Sequence, residues 1–278
     1  MRRTALVTGA GGFAGKHLVH HLLEEGWRVA AAGHNCEWSV DFRMVDQVEQ
    51  AFHEVQPDVV FHLAGTSSVA EMERDPVGGA ENITVPVAHV LANIGLARLL
   101  LVSTCHVYGA GSTDEEAHLR PLDRYGAARA SAEFLAQRSG KDVVIARAFH
   151  HTGPGQDRRF ALADWAARWR AGETRIPVGN LDVARDYSDV RDVVAGYRVL
   201  AERSRPGQAY NLCSGATVTM RELFTRLCPG STPIEDPTRV RGKEVPVLQG
   251  SAAKAEALGW TRKWTLEETL AGVRGGVV

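Results

Sequence analysis

The apolar positions of the chain fall into short extended runs and helical stripes that alternate. Thr4–Thr8 is a β-type run, and after Gly9, Gly12 and Gly15 the apolar positions from Phe13 to Glu25 recur at helical intervals until Gly26 stops them. Arg28–Ala32 reads as a second strand. Val48, Ala51, Phe52 and Val55 return to helical spacing, Pro57 closes that helix, and Asp58–Leu63 is a nearly continuous apolar run, the pattern of a strand buried on both faces. A helix containing Asn82 leads to a strand at Leu99–Ser103, and a further helix leads to another at Asp142–Ala146. This alternation persists to about residue 148. It predicts an α/β fold, a doubly wound parallel sheet with helices on both faces and ligand sites beyond the carboxyl ends of the strands.

The glycines lie between a predicted strand and a predicted helix, inside a unit of βαβ form. A pyrophosphate approaching backbone N–H groups at a helix N-terminus would collide with a Cβ, so glycine at this place points to dinucleotide binding. Residues 1–148 are therefore expected to form a Rossmann dinucleotide-binding domain, with contributions from about 183–213. After 148 prolines, tryptophans and loops increase, and 149–182 with 214–278 are expected to form a smaller C-terminal substrate-binding lobe.

Charge excludes some functions. Among 278 residues, 32 Lys and Arg face 33 Asp and Glu for a formal net charge of -1, which supplies no pull toward nucleic acid or an anionic membrane. Hydrophobic residues at 44% and charged residues at 23% suit a packed soluble protein, and no apolar run reaches the roughly 18 residues of a membrane span. Two arginines open the chain, but the apolar run after them breaks into glycines too soon for a signal-peptide core, so a cytoplasmic location is expected. The four cysteines, 36, 105, 213 and 228, form no CxxC pair and are expected to be reduced thiols. His17 and His21 stand one helical turn apart without a third ligand, and no metal site is expected.

The glycine spacing is G-x-x-G-x-x-G, and TGAGGFAG resembles the glycine motif of the extended short-chain dehydrogenase/reductases, which act largely on nucleotide sugars. Three further segments resemble the sugar-nucleotide branch of that family in the correct order. They are His62-Leu-Ala-Gly65 (HLAA), Ser103 to Gly109 (SSxxVYG) and Arg147 to Gln156 (RPFNHxGPGQ). Ala184 to Val193 resembles RDFxDVRD, and Pro237 to Pro246 resembles RPxEVP. The resemblance covers nearly the whole chain and is greatest to the GDP-4-keto-6-deoxymannose reductases.

The resemblance implies a set of roles. Tyr125 is the acid, and Thr104, four residues before Tyr108, is the hydroxyl that bonds the reacting oxygen. A residue four after the tyrosine shares its helix face and keeps the phenol acidic enough to protonate an alkoxide. The family has Lys there, whereas this chain has Arg129, always charged but bulkier and of different donor geometry. Gly9, Gly12, Phe13, Gly15, Ala64 and Gly65 are expected around the cofactor with Tyr125 and Arg129, and Asp41 near the adenine. Where an acid would bind the adenosine ribose, at the end of the second strand, stand Gly33, His34 and Asn35. That favours NADP(H) over NAD(H), with His34 as a candidate phosphate contact.

For the substrate, the resemblance implies Arg185 and Arg241 on the diphosphate and Glu244 on the nucleotide ribose, with Ser67, Ser68, His106 and His150 near the sugar. Ser67 and Ser68 also read as helix caps, and Asp189 or Asp192 as a cap of the next helix. His150 replaces the asparagine of RPFNHxGPGQ. Cys105 and His106 stand where the related 4,6-dehydratases carry acidic residues, which ranks dehydration below reduction, although His106 is able to shuttle protons near neutrality. The expected activity is NADPH-dependent reduction of a GDP- or dTDP-linked 4-keto-6-deoxyhexose. A 4-epimerase, a 4,6-dehydratase or a cofactor-binding module without turnover are the alternatives. A homodimer is expected through the helices around Asn82–Arg98 and Tyr125–Arg138.

Overall fold

The structure, a computed structural model, describes residues 2–240 and 244–276. The first half runs β1 (Thr4–Thr8), α1 (Phe13–Glu24), β2 (Arg28–Ala32), α2 (Val45–Val55), β3 (Val59–His62), α3 (Val69–Arg74), α4 (Pro76–Asn93), β4 (Arg98–Thr104), α5 (Arg124–Gln137) and β5 (Val143–Ala148). The second half continues with β6 (His150–Thr152), α6 (Ala161–Arg170), β7 (Arg175–Val178), β8 (Ala184–Asp189), α7 (Val190–Arg203) and β9 (Ala209–Leu212). It ends with β10 (Thr217–Thr219), α8 (Met220–Leu227), β11 (Thr232–Glu235), β12 (Val247–Leu248), α9 (Ala253–Glu256) and α10 (Leu266–Gly275).

Six parallel strands form the central sheet in the order β2-β1-β3-β4-β5-β9. Side chains alternate across a strand, so each strand feeds two cores. Val7, Phe61, Leu100 and Val144 meet Leu18 and Leu22 of α1 and Val193 and Tyr197 of α7 on one face. Leu6, Val60, Leu99 and Ile145 meet Val48, Ile83, Val87, Ala128 and Ala132 on the other. Each fully buried Leu, Val or Phe contributes roughly 1.5–3 kcal/mol, which is why these strands read as continuous apolar runs. The order reverses between β1 and β3, and the crevice above their carboxyl ends is the ligand position of such sheets.

Single residues set the ends of some elements. Helix α2 stops at Val55, before Pro57, because Gln56 takes a left-handed conformation with φ 46° and its N–H closes onto the Phe52 carbonyl. Strand β8 leaves the central sheet and pairs with β10, β12 and β6. A third core, of Leu162 and Trp165 on α6, Ile176 on β7, Leu223 and Phe224 on α8 and Leu270 on α10, lies outside the central sheet. Among the described residues no helix is long and apolar enough to cross a membrane.

Candidate active site

The glycine turn is built by three different demands. Gly9 has φ +68°, and a Cβ there would lie 2.9 Å from the Ala64 backbone nitrogen, so it lets β1 close against the end of β3. A Cβ on Gly15 would meet the Gly9 carbonyl oxygen at 2.2 Å, so Gly15 lets α1 pack on the turn. Gly12 is the N-cap of α1, is exposed, and supplies no side-chain cap. The first-turn N–H groups of a long helix are thus offered outward without a side-chain acceptor, with Phe13 beside them, which fits the pyrophosphate of a dinucleotide.

The floor of the crevice is a fixed polar triad. Thr8 Oγ1 lies 2.9 Å from His62 Nδ1 and accepts a hydrogen bond from the Ala64 N–H at 3.1 Å. Burial, reinforced by the Arg129 charge, pushes the His62 imidazole down to about 3, so the ring is neutral. Its Nε2 is buried without a hydrogen-bond partner.

Tyr125 and Arg129 meet on α5, and Thr104 ends the neighbouring β4. Asp123 caps α5, its Oδ1 accepting from the Gly126 N–H at 2.7 Å, and this sets the phase that turns Tyr125 and Arg129 to one side. The Arg129 guanidinium carbon sits 5.5 Å from the centre of the Tyr125 ring. Arg129 is 5% exposed and donates to the Val102 carbonyl at 3.2 Å and the Thr66 carbonyl at 2.9 Å, while its Nε has no partner. A buried guanidinium with an unused N–H beside the phenol is what a ribose hydroxyl or a nascent phenolate would meet. Thr104 ends β4, and its Oγ1 accepts from the His106 N–H at 3.3 Å.

His106 is held on the other side of the phenol. Its Nδ1 is 2.7 Å from Asp123 Oδ2, and its ring meets the Tyr125 ring edge-on with centroids 5.6 Å apart. The His150 ring lies 5.7 Å from His106 and 5.5 Å from Tyr187, and His150 Nδ1 is 4.0 Å from Cys105 Sγ. Cys105, His106 and His150 thus bring one ligand-type atom each within 4.8 Å of the others. Burial pushes the Cys105 thiol up to about 12, so without a bound cation the sulfur carries its proton. His17 and His21 do not form a pair, since His17 Nε2 meets the Pro154 carbonyl at 3.0 Å and His21 Nε2 accepts from Arg198 at 3.2 Å.

The remaining candidates divide. Ser68 caps α3, accepting from the Glu71 N–H at 3.4 Å, and Ser67 beside it is exposed. Asp189 caps α7, whereas Asp192 accepts from the Lys263 and Trp264 N–H groups. His34 is exposed after β2, with Gly33 at φ +146° before it. Both Asp41 oxygens accept from Arg43, which holds the Asp41 carboxyl down at about 2, so the carboxylate expected at the adenine is engaged within the chain. Arg185 and Glu244 are brought together, 3.5 Å apart, and Arg185 also donates to the Val245 carbonyl at 2.7 Å. Arg241 lies outside the described residues.

Residues 5–213 match the NAD dependent epimerase/dehydratase family. The chain belongs to that family. It is 32% identical to GDP-6-deoxy-D-mannose reductase of Pseudomonas aeruginosa over 298 aligned residues, which cover 98% of this chain and 96% of the relative. The structure of RMD from Pseudomonas aeruginosa complexed with NADPH matches with a TM-score of 0.89 and 30% identity, over 99% of this chain and 98% of that one. The UDP-glucose 4-epimerase of Thermus thermophilus in complex with NAD matches with a TM-score of 0.86 and 27% identity, over 98% of each chain. Family relatives thus hold NADPH or NAD.

Within this family site, reading the sequence missed Asp123, Thr66 and Arg43. Asp123 was visible as a cap, being a short acid just before a helix, but its second oxygen reaches a histidine 17 residues away. No local pattern marks Thr66, whose contribution is a carbonyl oxygen.

Proposed function

We propose that the protein reduces a nucleotide-linked 4-keto-6-deoxyhexose at C4. The observation that carries this reading is the buried Arg129 guanidinium over the Tyr125 ring, with Thr104 ending β4 and the start of α1 left without a side-chain cap. NADPH, when bound, supplies the hydride. Tyr125 gives its phenolic proton to the carbonyl oxygen, Thr104 Oγ1 holds that oxygen in line, and the Arg129 charge stabilises the tyrosinate left behind. Gly9, Gly12, Phe13 and Gly15 would hold the pyrophosphate, and Ala64, Gly65 and the unpartnered Arg129 Nε would meet the rest of the coenzyme.

NADP(H) is favoured over NAD(H) because no carboxylate stands at the end of β2, and His34 and the Arg43 guanidinium are candidates to meet a 2′-phosphate. In this reading residues 1–148, with 183–213, serve the coenzyme, and 149–182 with 214–278 serve the sugar nucleotide. Arg185, Arg241 and Glu244 take the nucleotide end, and His106, His150, Ser67 and Ser68 surround the sugar. The protein works in the cytoplasm as a homodimer through α4 and α5, whose outer surface exposes Phe134 and Leu135.

The test is NADPH oxidation with GDP- and dTDP-4-keto-6-deoxyhexoses. Wild type turns over, and Tyr125→Phe loses roughly 100- to 10,000-fold in kcat while still binding NADPH. The replacement of Lys by Arg129 favours a second reading, a module that binds without turnover. Tight NADPH and nucleotide-sugar binding with no product would establish that reading and sink the first.

A further inference from the structure

A phenol that protonates an alkoxide in every turnover must recover its proton, and Arg129 is unable to supply one because a guanidinium does not deprotonate in proteins. Its two bonds to the Val102 and Thr66 carbonyls use it as a fixed charge. The imidazole that packs edge-on against Tyr125 is His106, and it is anchored by the carboxylate that also starts the helix carrying Tyr125. One oxygen of Asp123 bonds the Gly126 N–H and the other bonds His106 Nδ1, both at 2.7 Å, so phenol and imidazole are positioned by a single side chain.

We propose that the His106–Asp123 pair is the proton relay of Tyr125, replacing a titratable group at position 129. The inference rests on the ketoreductase reading. NADPH delivers a hydride to C4 and becomes NADP⁺, the carbonyl π bond opens, and the new alkoxide takes the Tyr125 proton. The phenolate then takes a proton from the His106 imidazolium, whose charge Asp123 balances, and neutral His106 is reprotonated from water. The sum is one ketone, one NADPH and one proton converted to one alcohol and NADP⁺. Other titratable or charged groups around His106 are Tyr125 and Arg129 on α5, Cys105 beside it, His150 on β6 and Tyr187 on β8, with the Arg185 and Asp186 fields reaching Cys105. His106 acts through Tyr125 and is therefore a positioning residue.

The test is the pH profile of reduction in wild type, His106→Asn and Asp123→Asn. Asparagine at 106 keeps a donor near Asp123, and asparagine at 123 keeps the helix cap. A relay that starts protonated makes wild-type kcat fall as pH rises. His106→Asn lowers kcat roughly 10- to 100-fold with KM unchanged, removes that limb, and regains rate with added imidazole. Asp123→Asn, which takes the carboxylate from His106 Nδ1 but keeps the cap, lowers kcat in the same direction with KM unchanged. A His106→Asn enzyme that keeps the wild-type limb and kcat within about twofold overturns the relay while leaving ketoreduction intact. A wild-type protein that binds NADPH and sugar nucleotide without turnover overturns the ketoreductase reading, and the relay with it.

Discussion

Arg129 and Arg147 are both about 95% buried, and both engage the helix α5, yet they are opposite in kind. Arg147 on β5 donates to Glu133 from Nε and Nη2, to the Tyr108 hydroxyl at 3.0 Å and to the Glu115 carbonyl at 2.9 Å. Ser103 adds a donor to the same Glu133 at 2.5 Å, and Asn211 accepts from the Tyr108 hydroxyl at 2.7 Å. Arg129, one helical turn before Glu133, has two carbonyls, an unused Nε and no ion pair with a described carboxylate. A buried pair of opposite charges is a matter of architecture, because breaking it strands a charge in low dielectric. A buried cation without a counter-charge costs stability in the free protein and recovers it when a developing anion arrives. The contrast separates a structural arginine from one that the proposed reaction would use.

The comparison is most exposed to attack at Glu133. Glu133→Ala leaves Arg147 charged and unpaired, and the expected cost is about 3–5 kcal/mol, a melting temperature lower by roughly 10 °C. A thermal melt that moves by under about 2 °C would dissolve the distinction. Arg129→Met is the mirror experiment: stability stays within about 1 kcal/mol, since the lost carbonyl contacts are offset by removing an uncompensated charge, while kcat/KM falls roughly 100-fold. Equal losses of melting temperature in the two variants would count against it.

Acid titration follows. The folded His62 ring stays neutral down to about pH 3, whereas the unfolded ring takes a proton below about 6.5. Between those limits the unfolded state binds more protons, so stability falls with falling pH, by roughly 1.4 kcal/mol per unit once well below 6.5. The buried His17 and His151, also held low by desolvation, act in the same direction. His62→Gln should flatten the slope of denaturant midpoint against pH, and Arg129→Met should move its lower end upward, because the Arg129 charge helps hold His62 neutral. The smallest expected effect is that of Arg129→Lys. An ammonium does not span both the Val102 and Thr66 carbonyls, so one loses its partner and stability falls by about 1 kcal/mol, visible as a few degrees of melting temperature.

Reading along the chain located the parts of the site that depend on short separations. The glycine turn, the strand–helix alternation and the Tyr125–Arg129 pair each lie within one turn or one βαβ unit, where backbone geometry leaves little choice. Ser68 and Asp189 were anticipated as caps for the same reason. The environment of Arg129 was not readable, because its partners come from β4 and from Thr66 in the loop after β3, 63 residues distant. Nor was the engagement of Asp41 by Arg43, although the two are near neighbours, since a loop aspartate carries no pattern that says which cation it will meet.

Local spacing and hydrophobic period, then, were sufficient to specify the doubly wound sheet, because helix and strand periodicities bind neighbours in sequence to fixed faces, while the roles expected of the phenol, hydroxyl and cation came from motifs that resemble a family. Sheet order and loop closure alone decided which charges would be neutralised. They put Glu133 under Arg147 and a bare pair of carbonyls under Arg129, and they brought Asp123 round to His106. Such contacts join distant segments, and they depend on register and burial that no single segment contains.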